Sequence, residues 1–272
     1  VEDLFVASTH SYLLFFTNRG KVHWLKVHEI PEGGRQAKGR AMSNVLSLAE
    51  GEAVATCVPV RDFESGGHVL FATKQGKVKK TELSAFSHPR AGGIQAITLE
   101  GGDEVMATRR TDGQREALLS TKSGMIIRFS EDEVRPMGRS AAGVRGIDVE
   151  DGDQVIAAEV VQEDVAVLTV TERGYGKRTP LDEYRLQGRA GKGIIDIKTG
   201  GRNGSVVGML QVREGDDLLL VTTKGKMIRM HAADVTSQGR NTMGVRIIDL
   251  DPDDQVGSLA RVEAEQTPAP AP

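Results

Sequence analysis

An all-β ring of four-stranded blades is the fold this sequence predicts, and three observations carry that prediction. Short motifs return about every 50 residues along the 272-residue chain. Each return contains several short strands set off by glycine turns, the mark of radial β repetition. No stretch sustains a helical hydrophobic period. The 32 glycines and the 4% aromatic content agree, since many short strands need many tight turns.

The first element of the unit is a strand, a polar turn ending in glycine, and a basic strand. Its copies read FFTNRGKVHWLKV, FATKQGKVKKTEL, LSTKSGMIIRFSE, TVTERGYGKRTPL and LVTTKGKMIRMHA, with turn glycines at 20, 76, 124, 174 and 225. Short helix-like pieces come next, such as TELSAF (81–86) and SEDEV (130–134), each enough for a single turn. A glycine–arginine loop follows, in the forms GRQAKG, PRAGG, GRSAAG, GRAGKG and GRNTMG. Its closing glycines, Gly39, Gly93, Gly143, Gly193 and Gly244, are spaced 54, 50, 50 and 51 apart. Return strands such as IQAITL (94–99) and GVRGIDV (143–149) come after it, with fair alternation of apolar and polar residues. An acidic turn ends the unit in the forms AEGEAV, EGGDEVMA, EDGDQVIA and DPDDQVGS, while the fourth repeat departs with TGGRNGSVVG. Blades of this kind bury one another's faces, so a lone repeat is unstable. Whether the ring is closed or spiral is left open at this level.

The composition is near neutral: 35 Lys+Arg against 38 Asp+Glu, a formal charge of −3. A nucleic-acid reading must therefore rest on how charge is arranged, not on its sum. Cys57 is the one cysteine, which excludes an internal disulfide framework and suits a reducing cytoplasm. The start, VEDLFVASTH, has no basic n-region, and no apolar run approaches the ~18 residues of a membrane span. Residues 263–272 are Pro/Ala-rich and expected to be a disordered tail behind one folded unit of residues 1–262.

The bases are sorted by position within the unit. From Ala72 to Gln95 five bases face Glu82 alone, and from Thr171 to Arg202 eight bases face four acids. Radial repetition puts equivalent positions at equivalent radii. The basic hairpins and GR loops are expected to line one surface and the acidic turns another. A belt of that kind suits a phosphate backbone, with affinity that grows with contact number and falls with salt. Glycines beside arginine also let backbone N–H groups approach phosphate oxygens. No helix is available for the major groove and no aromatic platform for single strands, so contact without sequence readout, bending the duplex, is expected. The plain alternative is that the glycines serve turns with φ > 0 and the bases serve solubility and edge protection. Reversing Lys79 and Lys80 to glutamate is expected to weaken DNA binding without unfolding the chain.

Other chemistries find little support. QGRAGKG (187–193) lacks the Ser or Thr that a nucleotide P-loop needs after its lysine, and IIDIK (194–198) behind it reads as a strand. The six histidines show no metal-ligand spacing, and no nucleophile motif appears. Tyr12, Tyr175 and Tyr184 lie in strand or turn contexts of the repeat. The DPDD cluster reads as a solvated turn, and Trp24 as a packing residue. No catalysis, metal or cofactor is expected.

FVASTHSYLLFFTNRGKV, FATKQGKVKKT, VRPMG, GVRGI, GYGKRT and GRNTMGV, in this order and spacing, resemble the C-terminal DNA-wrapping domain of the bacterial DNA gyrase A protein. The likeness runs to about Val262. It implies a single six-bladed β-pinwheel, five of whose repeats are clear here, with blades that exchange strands. It implies duplex DNA wrapped with positive handedness on a basic outer rim, serving an ATP-dependent type IIA topoisomerase that introduces negative supercoils. The implied partners are DNA, the remainder of gyrase A and, through it, gyrase B, in the cytoplasm at the nucleoid. By the same resemblance the DNA-binding residues are Lys21, Lys38, Arg40, Lys77, Lys79, Lys80, Arg90, Arg139, Arg145, Lys177, Arg178, Arg189, Lys192, Arg240 and Arg246. The family's box, Q-R-R-G-G-K-G, belongs to a first blade whose place falls ahead of the repeats counted here. Gln187–Gly193 matches it at five of seven positions but in the fourth repeat. Two alternatives stand beside this reading: the topoisomerase IV counterpart, which bends DNA without strong handed wrapping, and a propeller-like scaffold for protein partners.

Overall fold

In the computed structural model, residues 7–33 and 39–263 are described. The first repeat supplies β1 (Tyr12–Thr17), β2 (Lys21–Lys26) and β3 (Val54–Val60). The second supplies β4 (His68–Thr73), β5 (Lys77–Glu82), β6 (Ile94–Gln95) and β7 (Val105–Thr111). The third gives β8 (Glu116–Thr121), β9 (Met125–Ser130), β10 (Val144–Arg145) and β11 (Val155–Val160). The fourth gives β12 (Ala166–Thr171), β13 (Tyr175–Pro180), β14 (Ile194–Ile195) and β15 (Val206–Val212). The fifth gives β16 (Asp217–Thr222), β17 (Met227–His231), β18 (Val245–Arg246) and β19 (Val256–Val262). One turn of 3-10 helix follows each hairpin, at 27–29, 83–86, 131–133, 181–183 and 232–234.

The sheets do not follow the repeats. Their orders are β3-β1-β2-β6, β7-β4-β5-β10, β11-β8-β9-β14, β15-β12-β13-β18 and β19-β16-β17. Each two-residue strand leaves its own repeat and pairs antiparallel with the hairpin of the repeat before it, as Val144 and Arg145 do with Val78 and Lys77. The inner strands β3, β7, β11, β15 and β19 pack in succession and line a central cavity. Five sheets form the ring, so the six blades implied by the resemblance are not what this chain builds. Four sheets have four strands, and the fifth has three among the described residues. The expected disordered tail lies outside the described residues from 264 onward.

The hairpin turn is a T-x-x-G unit. In the second repeat the Gly76 N–H donates to the Thr73 carbonyl at 3.0 Å, and Thr73 Oγ1 accepts from the Lys77 N–H at 3.1 Å. The glycine is needed twice over. Its φ is positive in all five copies, a region that costs other residues energy. A Cβ at Gly20, Gly76 or Gly174 would also sit 2.6, 2.6 or 2.7 Å from the carbonyl oxygen of Ile97, Ile147 or Ile248 on the incoming segment. At Gly225, where no strand of the described residues arrives, a Cβ would meet nothing within 4 Å.

The core lies between blades. Phe16 of the first packs edge-on against Phe71 of the second, with centroids 5.1 Å apart. Leu70, Ala72 and Val78 of the second meet Leu119, Ile127 and Phe129 of the third. Leu168 and Val170 of the fourth meet Leu218 and Leu220 of the fifth. Neighbours cover the central strands on both faces, so β1, β4, β8 and β12 each show five consecutive buried residues. Full burial of each large apolar side chain contributes about 1.5–3 kcal/mol.

Candidate nucleic-acid interface

The strand orders put the two-residue strands, and the GR loops that lead into them, at the outermost edge of the ring. From the second loop onward, the closing glycine lies against the preceding blade, whereas Gly39 of the first has nothing within 4 Å of an added Cβ. A Cβ at Gly93 or Gly244 would stand 2.9 or 2.6 Å from the carbonyl oxygen of Val22 or Gly176. One arginine-bearing loop therefore stands over each of the first four blades: Arg90, Arg139, Arg189 and Arg240. None of these four has a carboxylate within ion-pair distance among the described residues. Other bases of this edge do: Lys77 with Glu100 at 2.6 Å, Arg145 with Asp148 at 3.1 Å, Lys192 with Glu150 at 3.0 Å and Arg246 with Asp249 at 3.1 Å. The expected separation of bases from acids onto different surfaces is thus not observed. Acids and bases alternate, and the GR arginines are among the bases left without an acid in the described residues.

The loop backbones are largely committed. In QGRAGKG the Gln187 N–H donates to Arg128 O, the Arg189 N–H to Glu133 Oε2 and the Ala190 N–H to Gly146 O. Those N–H groups are taken, contrary to the expectation that they face phosphate. Arg189 Nη1 also donates to Arg145 O at 3.0 Å, and Arg240 Nη1 to Ile195 O at 3.1 Å. Arg189 Nε donates as well, to Glu133 O at 3.1 Å, so these two arginines tie their loops to the repeat before and, among the described residues, keep the Nη2 end of the fork unbonded.

Four members of the expected DNA-binding set are placed otherwise. Lys79, Lys80 and Lys177 are buried, and the Arg178 side chain is 11% exposed. Position four of the second hairpin strand in each of the first four repeats reaches the 3-10 turn of the next repeat, while Arg229 of the fifth pairs with Asp217 of its own hairpin. Trp24 Nε1 donates to Phe86 O, Lys80 Nζ to Glu131 O, Arg128 Nη1 to Leu181 O and Tyr184 O, and Arg178 Nε to Val235 O. Position three reaches the GR loop instead: Lys79 Nζ donates to Ala96 O and Arg139 O, and Lys177 Nζ to Asp196 O, Gly239 O and Arg240 O. A fork or an ammonium satisfies several carbonyls that a buried connection would leave unpaired. Burial, with Arg139 adding repulsion, lowers the Lys79 pKa to about 8. Lys177 is lowered by burial too, against the opposing attraction of Asp196. Glutamates at 79 and 80 would unfold the junction, which replaces the expectation of an intact fold.

The remaining expected residues lie toward solvent. Arg40, Arg90, Arg145, Lys192 and Arg246 are exposed, and Lys21, Lys77, Arg139, Arg189 and Arg240 are half-buried. Lys38 lies outside the described residues. Three bases outside the expected set, Arg173, Lys198 and Arg202, are exposed, and Arg202 lies against the Tyr175 ring. The signal for them was the fourth repeat's departure from the acidic turn.

The acidic turns also have an inward role. Asp103 Oδ1 accepts the Gln75 N–H at 2.9 Å, Asp153 Oδ1 the Ser123 N–H at 2.9 Å, and Asp254 Oδ1 the Lys224 N–H at 3.1 Å. Burial alone would raise the pKa of Asp153 and Asp254, but these and further hydrogen bonds outweigh it, lowering Asp153 and holding Asp254 at about 2. Among the described residues, no group of three or more His, Cys, Asp or Glu could hold a metal ion, and no helix is long and apolar enough to cross a membrane.

A family model described as the DNA gyrase C-terminal domain, a beta-propeller, matches residues 11–61, 67–112, 115–162, 166–213 and 216–263, one match per repeat. The DNA gyrase A protein of Streptococcus pyogenes serotype M1 is 52% identical over 98% of this chain and 32% of its own length. Its counterpart in Klebsiella oxytoca is 43% identical over 96% of the chain and 30% of its own. The chain thus spans about a third of the length of these curated relatives. Among solved structures, the C-terminal domain of DNA topoisomerase IV superposes with a TM-score of 0.86 at 30% identity, covering 94% of this chain and 80% of that one. The DNA gyrase A C-terminal domain gives 0.82 at 26% identity, covering 96% and 89%.

Proposed function

The chain belongs to the DNA gyrase C-terminal domain family, and from that premise we propose that it binds duplex DNA along its outer edge and wraps it around the ring. In this reading it is the non-catalytic part of a gyrase A protein, working with the rest of that protein and with gyrase B. Wrapping presents a second DNA segment to the cleavage core, and the ATP-driven enzyme then introduces negative supercoils. The observation that carries the reading is the series Arg90, Arg139, Arg189 and Arg240, one per blade step, on the outermost edge, with no guanidinium of the four in an ion pair among the described residues.

The edge suits phosphates and not bases. Arginine presents a planar fork to phosphate oxygens, and no element of the rim is shaped to enter a groove. Four phosphate contacts alone give a salt slope near −4 and roughly a hundredfold loss of affinity between ~50 and ~200 mM salt. A protein-binding scaffold would show no such slope. The topoisomerase IV likeness supports a second reading, in which the duplex is bent without a handed wrap.

One experiment separates these readings. The chain is bound to nicked circular DNA, the nick is ligated, the protein is stripped and the linking number is read. A positive shift proportional to bound protein is expected. Salt-sensitive binding with no shift favours bending alone, and absence of binding overturns the proposal.

A further inference from the structure

One turn end differs in charge from its neighbours. After the short strand, the second repeat carries Glu100, Asp103 and Glu104. The third carries Asp148, Glu150, Asp151 and Asp153, and the fifth Asp249, Asp251, Asp253 and Asp254. In the fourth, the one carboxylate between Ile194 and Gly204 is Asp196, fully buried beside Lys177. Lys198 stands where the others have Thr98, Asp148 and Asp249. Arg202 stands where they have Gly51, Gly102, Gly152 and Asp253. Both side chains are exposed.

Neighbours hold Arg202 in place. Arg173, exposed on the hairpin turn beside it, donates from Nη1 to Gly201 O at 2.6 Å. The Arg202 guanidinium lies 5.0 Å from the Tyr175 ring centroid and that of Arg246 lies 5.6 Å from it, with Arg246 Nη2 donating to the Tyr175 hydroxyl at 3.3 Å. Tyr175 takes the position that Lys21, Lys77, Met125 and Lys226 hold in the other repeats. Of the four cations, Arg246 has an ion-pair partner, Asp249. Glu172 is the acid next to Arg173 in the chain.

We propose that Arg173, Lys198 and Arg202, with Arg202 held against Tyr175, form a second phosphate site for duplex DNA, off the midline of the rim and toward the face that carries the hairpin turns. The inference rests on the wrapping reading. A duplex held at the midline all round would lie in a plane. A handed wrap has to climb, and the path is set by where the surface attracts phosphate and where it repels it. At the second, third and fifth repeats the turn-end acids pair with the bases beside them, Glu100 with Lys77, Asp148 with Arg145 and Asp249 with Arg246, and leave little unpaired positive charge for phosphate on this face. The fourth repeat admits it, which fixes where the climb occurs. Tyr175 acts as a positioning residue: cation–π contact holds the guanidinium of Arg202 ready for phosphate and lessens what must be ordered on binding.

The test gives the fourth repeat its neighbours' residues, Lys198→Asp with Arg202→Gly, in the full chain. Affinity for a linear duplex is measured against salt, and the linking-number shift on a nicked circle against bound protein. The variant is expected to bind roughly tenfold more weakly, with a salt slope shallower by about two. Its linking-number shift per bound protein should fall by half or more. Tyr175→Ala should reproduce part of the loss, and Tyr175→Phe, which keeps the ring, should restore it. Arg90→Ala with Arg139→Ala is the rim control. If the control weakens binding while Lys198→Asp with Arg202→Gly matches the unaltered chain in slope and shift, the second site is refuted and the rim reading stands. If the unaltered chain does not bind duplex DNA, the wrapping reading falls and takes this inference with it.

Discussion

Lys177→Met isolates the buried tie from the DNA surface. The ammonium is fully buried and lies 2.6 Å from Asp196 O, 2.9 Å from Gly239 O and 3.4 Å from Asp196 Oδ1. The same carboxylate accepts from the Tyr184 hydroxyl and from Thr169 Oγ1, each at 2.6 Å. Methionine keeps the apolar stem and removes the charge. Breaking a buried pair from one side costs about 3–5 kcal/mol, because the partner charge stays behind. For a chain of this size that lowers Tm by about 10 °C. Urea unfolding, followed by circular dichroism and by Trp24 fluorescence, reads the loss and checks that both probes move together. Lys177→Met with Asp196→Asn should recover about 1–2 kcal/mol of the sum of the single losses. Below the transition the salt slope of DNA binding should match that of the unaltered chain. A loss under about 1 kcal/mol, or full additivity, would refute the claim that this ion pair holds the loop of the fifth repeat.

Three further outcomes are expected. Lys79 has its pKa lowered from 10.5 to about 8, so between those values the unfolded chain holds a proton that the folded chain lacks. Stability should therefore rise as pH climbs from about 8 to about 10.5, by on the order of 3 kcal/mol, and Lys79→Met should flatten that rise in urea midpoints. Asp153 is lowered from its ordinary 3.8, so its contribution is present above that value and lost as the pH falls below it; Asp153→Asn should flatten the acid limb of the stability profile. Gly225→Ala meets open space and costs only its left-handed φ, about 1–2 kcal/mol, whereas Gly76→Ala also collides with Ile147 O and should lose more in the same unfolding assay.

The ring was legible because its signals are local. A T-x-x-G turn constrains four residues, and the closing glycines repeat the demand at a fixed interval. The exchange of strands was not, since Val144–Arg145 is two residues long and carries no information about which hairpin it joins. The basic hairpins misled for a physical reason. Position three of β5 and β13 lies in a strand covered on both faces, so charge there signals unpaired carbonyls nearby and not water. Lys79 and Lys80 look like Arg90 in a charge count, but only Arg90 sits on a loop outside the last ladder. The DPDD cluster reads as a solvated turn, yet its Asp254 turns back to cap the hairpin of its own repeat, as Asp103 does in the second. The fourth repeat's Arg202 was visible as a break in pattern, and its meaning came only with Tyr175 beside it.

Because every short strand is lent backward, the repeat in the gene and the blade in the ring are different units. The dependence has a direction. Removing the fifth repeat would also strip the outer strand from the fourth blade, leaving Gly174 facing empty space where Ile248 now sits. Removing the first would take away its own three described strands and the partner of strand β6, without opening any later sheet. A series of truncations from the two ends should therefore be unequal, with each cut from the C-terminal side damaging one blade more than it deletes. The same asymmetry governs growth by duplication: a new repeat inserted at any seam arrives with a strand for the blade before it and a vacancy for the repeat after it.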